Sequence, residues 1–276
     1  PVKEVSREEG EAMRLEDKIN EAVKAAQMEG ILSGPPANDN DTPKDPRSQF
    51  KTWEEIEAAA PEAQAALEKM LEGLGQAFGA ERVERFDKAD YNKSGVIYGM
   101  GPIKTMESAK RKVDGKYGGD WSRLGDVVRA SIGFDSIEDL KKGAAKLQEM
   151  GLKLAAKADN KFVRPTSAGY RDMNLNVLMP NGVVGELQLH LKPVLQAKSD
   201  GHKLYEESRL LDTKAKKAPP PLTPEETQLL KVCLLKQRML YGRAMESAVS
   251  GKKSQSKMMT KSASSATLLL WKKGSL

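Results

Sequence analysis

Apolar residues change their spacing along this chain, and each change marks an element. Over residues 4–29, Met13, Ile19, Val23 and Ala26 recur near helical intervals among charged positions, which predicts a charged helix. The run "SGPPANDNDTPKDP" (33–46) is dense in Pro, Gly, Asn and Asp and predicts a linker. Helical spacing resumes in "KTWEEIEAAAPEAQAALEKMLEGLGQAFG" (51–79), where Thr52 and Glu55 make a capping-box pattern and Ile56, Leu67, Leu71, Leu74 and Phe78 form the buried stripe. Pro61 is placed to split this helix in two. An apolar turn then leads into a basic amphipathic helix in "SGVIYGMGPIKTMESAKRKV".

The pattern next becomes strand-like. "WSRLGDVVRASIGF" (121–134) carries an apolar run from Val127 to Phe134 with Asp126 at its entrance, and "SIEDLKKGAAKLQEMG" (136–151) is a helix that Gly151 ends. "KLAAKADNKFVR" is expected to return as a strand. Residues 170–190 are two alternating polar-apolar runs joined by Pro-Asn-Gly, which predicts an antiparallel hairpin. A helix around "AKSDGHKLYEESRLL", a break at "KKAPPPLTP" and a helix in "EETQLLKVCLLKQRMLYGRAMESA" follow. The end is rich in Ser and Lys, with "TLLLW" as an apolar piece able to dock. Cys233 shares an apolar stripe with Leu229, Leu230 and Leu240 and is read as core. Strands and helices mixed in this order predict an α+β domain around a mixed sheet, flanked by helices and carrying helical N- and C-terminal extensions. The expected division is a charged helix and Pro-rich linker over 1–47, the main domain over 48–212, and a basic helical extension and tail over 213–276.

Composition narrows the classes. The 276 residues suffice for one sizeable domain with appendages. A single cysteine excludes an intramolecular disulfide and a multi-cysteine zinc site, and two histidines leave no room for a histidine-rich metallohydrolase. No run approaches the roughly 18 apolar residues of a membrane span. The start lacks a signal-peptide core and an initiator Met, as a fragment or processed chain would. The net charge of +6 is uneven: thirteen Lys/Arg stand against three Glu after Asp212, so everything before is net acidic. A basic end suits a polyanionic partner such as RNA, DNA or a membrane surface, and suits a solubilising tail equally well.

Alternation places Glu186, Gln188 and His190 on one strand face, with Leu187 and Leu189 opposite; in the partner run Tyr170, Asp172, Asn174 and Asn176 share a face. Such a face is either ordinary solvated sheet or a site. Asp126 supplies a second carboxylate, and two acidic groups on one sheet suit a magnesium ion that also holds substrate phosphates. Lys104, Ser108, Arg111 and Lys112 lie along one helical side, as a phosphate-binding surface or a solvated helix face. Tyr170 also fits a cross-strand partner and Asp126 a cap, while His190 and His202 read as structural. Together the residues suggest nucleotidyl or pyrophosphoryl transfer.

The order of these pieces resembles the synthetase domain of the RelA/SpoT family, the alarmone synthetases. In that family R-x-K-x-x-x-S-x-x-[RK]-K opens the site, and "PIKTMESAKRK" (102–112) falls on it without a gap. The D-[IL]-x-G-x-R strand entrance is similar to "DVVRAS" (126–131), G-Y-x-S-x-H to "GYRDMN" (169–174), and E-[IV]-Q-[IL] to "ELQL" (186–189). The resemblance spans about residues 95–210 and implies a nucleotidyltransferase-like synthetase fold with a mainly antiparallel mixed sheet. It implies that Asp126 and Glu186 hold Mg2+, that Glu186 activates the acceptor hydroxyl, and that Tyr170 stacks on the acceptor purine. Since stacking uses the ring face, Phe is expected to substitute for Tyr170. Lys104, Ser108, Arg111 and Lys112 fall where the phosphates of the donor, ATP, are held, and Gln188 supports the site.

The departures fall on both substrates. The first arginine of R-x-K is Pro102 here, and that of D-x-x-G-x-R is Ser131, which leaves Arg129 for the donor. The closing histidine of G-Y-x-S-x-H is Asn174, the lysine expected before the glycine is Thr166, and His190 replaces a frequent arginine after E-x-Q-x. Lys161 and Arg164 are then the cations left for phosphate on the acceptor side, and the acceptor's identity stays open. Two histidines cannot build the metal-dependent hydrolase of the family's long members. A synthetase without that counterweight resembles the toxic small alarmone synthetases and effector toxins, which implies a growth-inhibiting toxin acting in a cytoplasm, with delivery as a secreted effector and an antitoxin or immunity protein as partner. The implied reaction moves pyrophosphate from ATP to the 3′-hydroxyl of a purine nucleotide. The alternatives are the tRNA 3′ end as acceptor, gripped by the basic tail, and an inactive nucleotide- or RNA-binding member.

Overall fold

Thr52 opens a helix as its spacing from Glu55 predicts. In the computed structural model, which describes residues 2–32, 47–216 and 222–250, the backbone N–H of Glu55 donates to Thr52 Oγ1 and that of Thr52 to the Glu55 carboxylate. The helix, α2 (Trp53–Phe78), runs through Pro61 without a break. An interior proline costs about 3 kcal/mol, but Ile56, Ala60, Ala63, Leu67, Leu71 and Leu74 are buried on both sides of it and hold the axis in one piece.

The strands form one six-stranded sheet in the order β1-β2-β3-β6-β5-β4. They are β1 (Glu81–Arg82), β2 (Ile97–Met100), β3 (Arg129–Phe134), β4 (Asp159–Asn160), β5 (Met173–Leu178) and β6 (Val184–Leu191). Neighbours β1/β2 and β3/β6 are parallel, and the remaining pairs are antiparallel, so the sheet is mixed and mainly antiparallel. The β5–β6 hairpin turns on Pro180-Asn181-Gly182: Gly182 has φ 86, and Asn181 Nδ2 pins the turn to α2 by donating to the Ala59 carbonyl at 2.9 Å. The return strand expected in 153–164 is cut to β4 and a bridge from Leu154 to Val177. Ala155, Ala156 and Ala158 offer little to pack on a pleated surface.

Helices α3 (Met106–Tyr117) and α4 (Ile137–Glu149) connect the strands, and α2 with α4 covers the sheet face that carries Leu187 and Leu189. At Gly143 on α4 an added Cβ would stand 2.4 Å from the Phe134 ring. Gly143→Ala is therefore expected to destabilise by about 1–3 kcal/mol, despite alanine's better helix propensity; the midpoint of urea unfolding measures this.

The single helix expected around 197–211 is two, α5 (Lys192–Asp200) and α6 (His202–Lys216), broken at Gly201. There Leu240 of α7 (Pro224–Ser250) approaches so closely that a Cβ would meet its Cδ2 at 2.7 Å. Cys233 is buried on α7 as expected, 1% exposed. The N-terminal helix α1 (Val2–Ala25) lies along α7 and buries Ala12, Leu15, Ile19 and Val23. Two exposed ion pairs, Lys18–Glu246 (2.6 Å) and Arg243–Glu11 (2.7 Å), flank that seam. The linker 33–46, residues 217–221 of the predicted break and the Ser/Lys-rich end with "TLLLW" lie outside the described residues. No helix among the described residues is long and apolar enough to cross a membrane.

Candidate active site

Parallel pairing of β3 with β6 sets Arg129 directly beside Glu186, and Asp126 stands three residues ahead of Arg129 at the strand's entrance. Asp126 is 7% exposed, and its Oδ2 accepts from Lys104 Nζ at 3.0 Å and pairs with Lys112 Nζ at 2.8 Å. Its Oδ1 is buried with no hydrogen-bond partner among the described residues. Burial pushes the Asp126 carboxyl up, but the Lys112 and Lys104 ammonium groups outweigh it and hold the carboxyl below its ordinary range. Glu186 goes the other way: burial raises it, the Asp126 charge raises it further, and Lys112, Asn174 and Arg129 only partly compensate.

Local structure explains how the cations arrive. Thr105 caps α3, with its hydroxyl accepting from the Ser108 N–H, and Lys112 reaches Asp126 from the helix's second turn. Lys104 precedes that cap, so it is a loop residue and not part of the helical side predicted for it; its backbone N–H donates to the Val127 carbonyl at 2.9 Å. Ser108 is half-buried in the first turn and Arg111 is exposed on α3. Arg129 Nη2 donates to the Pro102 carbonyl at 3.3 Å, while its Nε is buried without a partner. Gln188, two residues along β6, donates its amide to Glu186 Oε1, and Asn174 stands opposite Gln188 on β5.

The other end of the polar face differs from its predicted form. β5 begins at Met173, so Tyr170 belongs to the preceding loop and not to the strand. Tyr170 Oη donates to Asp172 Oδ2 at 2.8 Å and lies 3.2 Å from His190 Nδ1. Its ring meets Tyr241 of α7 edge-on at 5.2 Å, and Lys198 Nζ of α5 lies 5.4 Å from its centroid. Burial and the Asp172 charge push the phenol well above its ordinary value. Lys161 is held by Asp172 at 2.8 Å and Asp159 at 2.9 Å, and Arg164 is exposed on the turn after β4. His190 is fully buried beneath this group, not displayed on an open face; burial and the charge of Lys198 bring its imidazole down to about 3.

The sequence-derived residues therefore form two groups. Asp126, Glu186, Lys104, Lys112, Arg129 and Asn174 share one end of the face and Tyr170 and Lys161 the other, with Gln188 between them, its amide nitrogen on Glu186 and its Oε1 3.5 Å from Lys198 Nζ. Lys198, Asp172 and Tyr241 complete the second group and carried no role in the sequence reading. Asp172 shares the alternation of Tyr170, and Tyr241 falls on the α7 stripe two turns after Cys233, so both had a signal. Lys198 follows Val194, Leu195 and Ala197 on a mostly buried helix, an odd place for a lysine.

The hydroxyl contacts revise one expectation. Tyr170→Phe keeps the ring but strips the hydroxyl donor from Oδ2 of Asp172, a residue 2% exposed, leaving only Lys161 on Oδ1. A buried acceptor stripped of its partner costs about 1–3 kcal/mol, so this variant is expected to unfold at a lower denaturant concentration than wild type rather than behave as a mild change.

No family model matches the chain. The (p)ppApp synthetase toxin Tas1 of Pseudomonas aeruginosa (strain UCBPP-PA14) is 26% identical over 192 residues, 60% of this chain and 39% of the relative. The chain thus spans well under half the length of that curated relative. Among solved structures, the small alarmone synthetase 2 from Bacillus subtilis matches with a TM-score of 0.51 at 20% identity, over 73% of this chain and 99% of that one. The Type VI effector Tas1, solved in complex with its immunity protein, gives 0.48 at 21% identity over 72% and 99%. The described domain has the fold of the small alarmone synthetase 2 from Bacillus subtilis, and a (p)ppApp synthetase toxin is among its sequence relatives.

Proposed function

We propose that the chain transfers pyrophosphate from ATP to the 3′-hydroxyl of a purine nucleotide and acts as a growth-inhibiting toxin. One observation carries the reading: two partly buried carboxylates, Asp126 and Glu186, stand within electrostatic reach of each other beside Lys104, Lys112 and Arg129. In this reaction the acceptor's 3′-oxygen attacks the β-phosphorus of ATP. The bond from that phosphorus to the α–β bridging oxygen breaks, AMP leaves, and Glu186 takes the hydroxyl proton. A raised carboxyl suits a proton acceptor, and Lys104, Lys112 and Arg129 are read as the cations that hold the donor's phosphates. Tyr170 is read as the acceptor's stacking partner, with Lys161 and Arg164 beside it for phosphate.

The residues present fit a magnesium ion. Asp126 Oδ1 is a buried oxygen without a partner, and Glu186 is raised by the neighbouring negative charge, a repulsion that a divalent cation would relieve. Among the described residues no three acidic, histidine or cysteine side chains gather as a full ligand set, which suits an ion that takes its remaining ligands from phosphates and water. When bound, the ion would neutralise charge developing on the phosphates.

The toxin reading is supported by the name of the curated relative, and delivery as an effector into a target cell's cytoplasm, with an antitoxin or immunity protein as partner, belongs to the same proposal. The tRNA alternative has its grip in the tail beyond the described residues, and no specific contact favours it. Incubation with γ-labelled ATP and each of GDP, GTP, ADP, ATP and bulk tRNA tests the reading. Label is expected in a purine nucleotide, and label found only in tRNA, or nowhere, would sink it.

A further inference from the structure

Arg171 is the most deeply buried guanidinium near the site, 2% exposed, yet it meets no carboxylate at ion-pair distance among the described residues. Nη1 donates to the Phe162 carbonyl, and Nη2 donates to Asn20 Oδ1 on α1 at 2.6 Å. Glu16, one turn earlier on α1, adds only a longer-range attraction. Burying an arginine against neutral groups adds little stability that an apolar residue could not supply. What its planar fork provides is direction, because each N–H fixes the position of one acceptor.

The chain it fixes is the loop from Thr166 to Asp172, which carries Tyr170. On its other side α7 holds the same loop: Arg238 Nε donates to the Ser167 carbonyl at 2.7 Å, and Tyr241 meets the Tyr170 ring. Gly169 turns there with φ 76, and its missing Cβ would lie 3.5 Å from Arg238 Cα. Between Glu16, Ile19, Gly169, Arg171 and Arg238 remains a cavity of about 20 Å³, room for one water molecule. The loop is thus gripped from both ends of the chain, by α1 and by α7.

We propose that α1 is part of the acceptor site: Asn20 holds Arg171, Arg171 holds the Tyr170 loop, and both are positioning residues for the acceptor. The inference rests on the acceptor reading of Tyr170 given above. It makes the N-terminal helix a control point, since displacing α1 would release the loop without touching Asp126 or Glu186.

Asn20 is exposed, so its substitution spares the core. In the full chain, Asn20→Ala is expected to raise the acceptor KM about tenfold, the effect of losing one hydrogen bond to a charged group. The KM for ATP should stay within about twofold, because the donor's cations stand at the other end of the face. Asn20→Asp should restore the acceptor KM, since a carboxylate pairs with the guanidinium more strongly than an amide does. Hydrogen exchange reads the same contact without any assay of transfer: the Gly169 and Tyr170 amides, bonded to the Thr166 carbonyl (2.8 Å) and Thr166 Oγ1 (3.2 Å), should exchange faster in Asn20→Ala and return to wild-type rates in Asn20→Asp. Unchanged exchange in Asn20→Ala, or equal rises in both KM values, would overturn the proposal. Faster exchange in a chain whose wild type transfers no pyrophosphate would overturn the functional reading and leave the loop's anchoring standing.

Discussion

Glu186→Gln is expected to lower pyrophosphate transfer by about 10²–10⁴-fold, the contribution typical of a positioned general base. The substitution keeps size and the ability to accept from Gln188, but removes the negative charge and the proton-accepting oxygen. Because the wild-type carboxyl is raised by burial and by Asp126, neutralising it also removes a repulsion, so the variant should fold at least as well as wild type. That separation makes the experiment decisive: circular dichroism and urea unfolding near wild type, together with a nearly abolished rate. Retention of more than about a tenth of the activity would remove Glu186 from the base role.

Asp126→Asn is expected to lose activity comparably but to behave differently as a protein. Its carboxylate is held down by Lys112 and Lys104, so the amide leaves two partly buried ammonium groups without their counter-charge. Breaking a buried pair by removing one partner costs about 3–5 kcal/mol when burial is complete. Here Lys112 keeps some solvent contact, and the loss should be smaller. Two carboxylates of one site thus respond oppositely in stability, one relieved and one deprived.

Period-two alternation and the Pro-Asn-Gly turn made the β5–β6 hairpin legible, and with it the common face of Glu186 and Gln188. The capping box of α2 and the buried α7 stripe with Cys233 were equally local signals. Local signals did not reach what depends on partners far along the chain. The stripe of α1 announces a buried face but does not say that α7 is its seat. Gly201 is unremarkable in sequence, and only the approach of Leu240 makes it a break between two helices. Pro61 fails as a helix breaker because burial on both sides outweighs its local penalty. Tyr170 was placed on a strand by alternation, yet its hydroxyl has Asp172 and His190 to satisfy, and α1 and α7 shape the loop that presents it. The pairing of Asp126 with Glu186 was suggested by motif order, while its electrostatic character needed Lys104 and Lys112 in space.

Acid is expected to unfold this protein from an unusual place. His190 is fully buried, and its imidazole is brought down to about 3, against an ordinary value near 6.5, so the folded state holds the ring neutral while the unfolded chain protonates it. Folding stability from this group is fully present above the unfolded value and is lost as pH falls from about 6.5 towards 3, on the order of 5 kcal/mol over the whole interval. Asp126, held below its ordinary range, adds a loss of the same sign at the acid end. Glu186 opposes it, since its raised carboxyl binds a proton more readily when folded. The histidine therefore governs the upper part of the window, where few carboxylates titrate. In His190→Gln, a residue neutral at every pH, unfolding free energies measured in urea between pH 4.5 and 7.5 should lie below wild type at the upper end and fall much less steeply. Should that variant fail to fold, ring-proton NMR of the wild type reads the same property. With only His190 and His202 present, the His190 signals should remain those of a neutral ring until the protein unfolds. Parallel pH profiles for wild type and variant, or a folded His190 that titrates near 6.5, would show that the imidazole is not the acid trigger.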